Sequence, residues 1–88
     1  MDICACYTAF NPDVVSLKKS IIQIYDQVGA IYIFDDGSKK KWWTKGFLDC
    51  FDKVIVFSDG ENKGIAHRLN DALLAGAKMK YLWVLLLD

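Results

Sequence analysis

Eighty-eight residues, 53% of them apolar and 14% aromatic, fit one small domain that packs a hydrophobic core. Eleven basic and eleven acidic side chains cancel, which removes the electrostatic footprint of a nucleic-acid binder, so no nucleic-acid partner is expected. Cys4, Cys6 and Cys50 are odd in number and lack metal-ligand spacing, and no stretch reads as a signal peptide or a bilayer span, so a reducing cytoplasm is the expected location.

Ile3 to Thr8 reads as a strand, with Cys4 and Cys6 on one side of a sheet as small hydrophobes. Asn11-Pro12-Asp13 is a helix start, with Asn11 as cap, Pro12 at the first helical position and Asp13 in the first turn. Val14, Leu17, Ile21, Ile24 and Val28 follow at helical spacing, and Gly29 suits the stop. Ala30 to Phe34 is a second strand. Trp43, Phe47 and Phe51 mark a short helix, with the two tryptophans Trp42 and Trp43 packing. Lys53 to Phe57 is a third strand closed by the Ser58-Asp59-Gly60 turn. From Gly64 onward Ile65, Leu69, Ala72, Leu73 and Gly76 mark the inner face of a helix whose small residues allow close packing on a sheet. Tyr81 to Leu87 is a fourth strand.

Strands alternating with helices imply parallel pairing through right-handed crossovers. The expected fold is therefore α/β, a Rossmann-like three-layer α/β/α arrangement with a mostly parallel sheet of about four strands. Continuous apolar strands need cover on both faces, which so short a chain supplies with difficulty. Residues 1–88 are therefore expected to form a single partial domain, or a chain that self-associates.

The run Ile31-Tyr32-Ile33-Phe34-Asp35-Asp36-Gly37-Ser38 carries the functional signal. An apolar strand ends in two adjacent carboxylates, and open parallel sheets bind ligands beyond their carboxyl ends. Adjacent like charges are costly unless solvent, a cation or ligand donors compensate them. Thr8, Ser58-Asp59 and Asp88 end the other strands, so all four ends deliver polar groups to one edge. Such an edge suits a nucleotide, and Asp88 is a candidate ligand for a cation of the magnesium type. Each signal has a plainer reading. Asp35 to Ser38 can serve as a capping turn, and Asn62-Lys63-Gly64 as a loop and helix start. His67, the sole histidine, lies on a predicted helix with no nucleophile and reads as structural or solvent-facing. Lys39-Lys40-Lys41 before Trp42-Trp43 reads as a solvated loop leading into a helix, with a membrane surface or an anionic ligand as the alternative.

Taken in order, Thr8-Ala9-Phe10-Asn11-Pro12-Asp13, Phe34-Asp35-Asp36-Gly37-Ser38, Asn62-Lys63-Gly64-Ile65-Ala66, Leu69-Asn70 and Leu85-Leu86-Leu87-Asp88 resemble the first half of family 2 glycosyltransferases. The bacterial rhamnosyltransferase-like group is the nearest in flavour. The resemblance covers nearly the whole chain and implies the nucleotide-binding half of a GT-A fold. It implies transfer of a sugar from a nucleotide-diphosphate sugar donor to a saccharide or lipid-linked acceptor, with Mg²⁺ or Mn²⁺, in bacterial cell-surface polysaccharide synthesis. A full-length protein of that kind would work at the inner face of the membrane. By motif position Thr8 and Phe10 would line the nucleobase and ribose pocket, and Asp36 would accept from the base while Asp35 supports the turn. Asn62 and Gly64 would shape the loop near ribose and diphosphate, and Asp88 would be the first acid of the metal-binding Asp-x-Asp motif. The chain departs from the family at Phe10, where many relatives carry an aromatic hydroxyl, and at Leu69, where many carry an arginine. The family domain is considerably longer, so its second metal acid, catalytic base and acceptor half would lie beyond Asp88, and the isolated 88 residues are expected to be inactive.

Two rivals belong to other classes. A non-catalytic α/β module would associate through an exposed sheet edge or bind nucleotide without turnover. A receiver-like phosphoacceptor domain also gathers acids at strand ends, but it needs its acid pair after the first strand, where this chain has Thr8.

Overall fold

The computed structural model describes residues 2–87, in the order β1 (Ile3–Ala9), α1 (Val14–Ile24), a 3-10 turn (Tyr25–Gln27), β2 (Ala30–Asp35), α2 (Lys45–Asp49), β3 (Val54–Ser58), α3 (Ile65–Lys78) and β4 (Trp83–Leu87). The strands form one sheet in the order β3-β2-β1-β4, with every neighbouring pair parallel. The expected three-layer α/β/α architecture is present, and the sheet is wholly rather than mostly parallel.

From β1 the chain steps outward to β2 and β3, then returns across the sheet to β4 on the far side of β1. Right-handed crossovers place the connecting helices on one face while the chain moves one way and on the other face once it turns back. Accordingly α1 and α2 cover one face, where Ala5, Tyr7, Ile31, Ile33 and Val54 cluster with Leu17, Ile21, Phe47 and Phe51. On the opposite face α3 brings Ala72 against Cys4, Cys6, Tyr32 and Phe34. Cys4 and Cys6 thus share a face, as alternation predicts, and burial pushes the Cys6 thiol up to about 12, which keeps it chemically quiet.

Several boundaries differ from the expectation, each for a local reason. Asp13, not Asn11, caps α1: its carboxylate accepts from the Val15 and Ser16 amides at 3.1 and 3.4 Å and from the Ser16 hydroxyl at 3.0 Å. Asn11 instead occupies the left-handed region at φ 45°, a conformation its short polar side chain tolerates. Helix α1 stops at Ile24 rather than at Gly29. Lys53 ties off that end, its ammonium donating to the Tyr25 and Val28 carbonyls at 2.7 and 3.1 Å above the Tyr25 ring. Trp43 precedes α2, which Thr44 caps by accepting from the Phe47 amide at 3.0 Å. Strand β4 begins at Trp83 rather than Tyr81, because α3 closes in a Schellman motif. Lys80 sits at φ 62°, its amide bonds the Ala77 carbonyl, and the Tyr81 amide bonds the Gly76 carbonyl.

The inner face of α3 is Arg68, Ala72 and Gly76. Ile65 and Leu73, expected inward, are exposed by 56% and 50%. Close approach to the sheet decides this. A Cβ at Gly76 would run into the Val84 side chain, so only the small residues of the helix can face β4. The apolar β4 run lacks the cover it needs: Leu82, Trp83, Leu85 and Leu86 are all exposed. No helix among the described residues is long and apolar enough to cross a membrane.

Gly76→Ala should therefore destabilise the domain by about 1–3 kcal/mol through overpacking against Val84. Gly46→Ala, whose Cβ would meet only the Thr44 hydroxyl at 3.7 Å in exposed α2, should be neutral or stabilising by up to about 1 kcal/mol. Urea unfolding of both variants reads the contrast.

Candidate functional site

Period-two alternation sends the two adjacent acids to opposite faces of the sheet. Asp35, the last residue of β2, continues the Ile31-Ile33 row toward α1 and α2, and is 1% exposed. Its carboxylate accepts from the Ser38 amide at 2.9 Å, the Ser38 hydroxyl, and the Trp42 indole N–H at 2.8 Å. Every one of these partners is local, so Asp35 supports the turn and holds the loop that follows it. The like-charge cost of the pair is relieved by separation, by hydrogen bonding and, at Asp36, by the Arg68 guanidinium.

Asp36 turns toward α3 and is 8% exposed. Its Oδ1 accepts from the Lys63 amide at 2.7 Å, the Gly64 amide at 3.2 Å and the Arg68 Nε–H at 2.9 Å; Oδ2 accepts from the Gly64 amide at 3.1 Å. The Asn62 side-chain amide donates to the Asp36 carbonyl at 3.2 Å. Asp36 therefore performs for α3 the work of a cap delivered from another strand, since Gly64, at φ 88°, brings no side chain of its own. Burial alone would push this carboxyl up; the Lys63 amide, Arg68 and the Gly64 amide outweigh it and hold it below the ordinary range.

Arg68 joins these loops and was not anticipated from the sequence. Its side chain is 5% exposed. All five of its N–H bonds are used: Nε to Asp36, a two-pronged fork to Asp59 at 3.2 and 2.9 Å, one bond to Asp71 at 3.4 Å, and one to the Glu61 carbonyl at 2.6 Å. The guanidinium, the Glu61 amide and Lys63 hold Asp59 well below the usual carboxylate range. Lys63 lies 3.1 Å from Asp59 and 3.3 Å from Glu61, and is raised by both. The signal that could have revealed Arg68 is its spacing: it precedes Ala72 and Gly76 by four and eight residues, on the stripe that must face the sheet.

Thr8, Phe10 and Asp36 come together with Ala9, Ile65 and Arg68 around a cleft of about 200 Å³ at the carboxyl edge. Asn62 and Gly64 form the loop behind Asp36, whereas Asp35 lies on the other face, among its own turn. The cleft opens by the ends of β1 and β2, next to the point where strand order reverses between β1 and β4, the place where open parallel sheets bind ligands. Phe10 is half exposed and offers an apolar wall. Among the described residues Asp36 Oδ2 accepts only from Gly64, and it retains capacity for a ligand donor. His67 stands on the exposed side of α3, 3.6 Å from Asp71, and Trp42 and Trp43 pack edge to face, with Trp42 also against Phe47.

Among the described residues no three His, Cys, Asp or Glu side chains are placed to hold a metal ion. Asp35 and Asp36 do not fit a divalent cation, because their oxygens already accept from amides, a hydroxyl, an indole and a guanidinium. Asp88 lies outside the described residues. Set against known proteins, the chain matches no family model, no curated sequence and no solved structure.

Removing Arg68 leaves the buried Asp36 carboxylate without its counter-cation, held by the Lys63 and Gly64 amides. Arg68→Ala should cost about 3–5 kcal/mol, comparable to the whole stability of so small a domain, and abolish cooperative unfolding. Arg68→Lys keeps the charge and loses the fork, so it should fold with reduced stability. Asp36 and Asp59 both have lowered values in the fold, so their stabilisation is full above the unfolded value of 3.8 and is lost as pH falls through the lower folded values. Acid unfolding of the wild type followed by circular dichroism should accordingly begin below that value, and Arg68→Lys should unfold at higher pH.

Proposed function

We propose that this chain is the donor-binding portion of a nucleotide-sugar-dependent glycosyltransferase of the GT-A kind. The observation that carries the reading is the convergence of Thr8, Phe10 and Asp36 on one cleft at the carboxyl edge of a wholly parallel sheet, beside the reversal of strand order. These residues are drawn from two strand ends, and the same three stand in the ordered motifs that resemble family 2 glycosyltransferases. In this reading the Phe10 ring forms one wall for a nucleobase, Asp36 Oδ2 accepts one base N–H, and the Thr8 hydroxyl faces the ribose. The Mg²⁺ or Mn²⁺ implied by the resemblance would depend on Asp88 and on residues supplied from elsewhere. The described residues bind and orient donor; they supply no catalytic base.

A second reading, an associating α/β module, is favoured by one observation: β4 is an edge strand with Trp83 exposed by 69% and Leu85 by 41%. The two readings are compatible, since the uncovered strand lies on the other side of β1 from Asp36.

Calorimetric titration with uridine and thymidine diphosphates, each with Mn²⁺, tests the donor reading. Weak saturable binding is expected, with no sugar transfer by the isolated chain; no binding at millimolar nucleotide contradicts it. Phe10→Ala should weaken that binding by the worth of one base-stacking contact, about 1–3 kcal/mol, and leave unfolding unchanged because Phe10 is half exposed.

A further inference from the structure

Beyond the Thr8–Phe10–Asp36 cleft, whose lining pairs one acid with one base, the same edge carries a second concavity that is purely basic. Asn11, Pro12, Lys39, Lys40, Lys41 and Trp42 line a cleft of about 460 Å³ with three lysines and no carboxylate. Among the described residues none of these three ammonium groups lies within 4.0 Å of an acid, as is also true of Lys18, Lys19, Lys53, Lys78 and Lys80, and the Lys41 ammonium lies 5.8 Å from the Trp43 ring centroid. What sets these three apart is that they are consecutive and line one hollow, a local excess of positive charge in a chain of zero net charge.

The hollow is also held in shape. The Lys39 amide donates to Asn11 Oδ1 at 2.9 Å, and the Asn11 amide donates to Ser38 Oγ at 2.7 Å, stitching the loop after β1 to the loop after β2. Asp35 fixes both ends of the lysine run, through Ser38 on one side and the Trp42 indole on the other. Trp42 is packed against Phe47 and Trp43, so its ring is a rigid wall rather than a mobile flap. The backbone of the lysine run and the Trp42 ring are thus preorganised, while the three lysine side chains are exposed and free to turn toward a ligand.

We infer that this lysine hollow is a phosphate-binding subsite, taking the phosphate of a small phosphorylated ligand or of a lipid headgroup. Lysine ammonium groups bind phosphate as point charges through charge-assisted hydrogen bonds, and the Trp42 and Pro12 surfaces accept the less polar part of the ligand. This subsite stands apart from the donor reading, because none of its lining residues lines the Thr8–Phe10–Asp36 cleft.

The test follows amide and indole N–H resonances of the folded chain during titration with inorganic pyrophosphate, with no divalent metal present. Saturable shifts at Lys39, Lys40, Lys41 and the Trp42 indole are expected, weakening as salt is raised. A parallel arm measures co-sedimentation with phosphatidylglycerol vesicles against phosphatidylcholine vesicles. Binding to pyrophosphate assigns a free phosphorylated ligand. Binding to the anionic vesicles alone assigns a lipid headgroup. The Lys39→Gln/Lys40→Gln/Lys41→Gln variant, its fold checked by the rest of its amide spectrum, should bind about tenfold more weakly or worse, as the loss of at least one charge-assisted bond implies. The triple Lys→Arg variant should retain binding. Absence of response in both arms, or shifts that persist in the glutamine variant, overturns the assignment.

Discussion

Arg68 is the contact on which the strand-end edge depends. Three carboxylates, Asp36, Asp59 and Asp71, approach one another from β2, the β3 loop and α3, and one guanidinium satisfies them together. Without it Asp36 would be a buried acid facing other acids. With it, the loop after β3, the start of α3 and the end of β2 are fixed in one geometry. A buried ion network is weak evidence of net stabilisation, because desolvation offsets most of the Coulomb gain. Its contribution here is positional: it seats the Lys63-Gly64 loop and leaves Asp36 Oδ2 as the acceptor with spare capacity at the cleft.

The alternation of β2 explains why one edge carries two different clefts. Asp35 and Asp36 are neighbours in sequence and sit on opposite faces. Asp36 draws Arg68, Asp59 and Asp71 together on the α3 side, where acids are gathered and neutralised. Asp35 organises Ser38 and Trp42 on the other side, where the lysine run is held open without acids. The chain's zero net charge therefore hides a polarised edge, with fixed acids to one side of β2 and free cations to the other.

Much of the fold was legible from residue pattern. The four strands, their parallel pairing and the shared face of Cys4 and Cys6 follow from apolar runs punctuated by glycine and Asx residues. Apolar periodicity failed on α3, where Ile65 and Leu73 are solvent-exposed and Arg68 is buried. The helix approaches the sheet so closely at Gly76 that only small residues fit there, as its run of alanines and glycine suggests, while Asp36 draws Arg68 inward one turn and more before it. The cap of α1 was displaced from Asn11 to Asp13 because Asn11 is used in tying two loops together, a long-range contact with no local signature. Phe10 was implied only by the motif resemblance, whereas the shared edge of Thr8 and Asp36 was readable from the rule that parallel strands end together. The network that holds Asp36 was not, because it needed the orientation of a helix as well as its position.

The account rests on the Thr8–Phe10–Asp36 cleft receiving a nucleobase, and the most direct measurement is intermolecular nuclear Overhauser contact between uridine diphosphate and the labelled chain. Contacts from the uracil ring protons to Phe10 and to the Ile65 methyl groups, with a shift of the Gly64 amide, are the predicted result. Contacts confined to the lysine hollow or to the β3 edge at Phe57, with Phe10 and Ile65 silent, would contradict it.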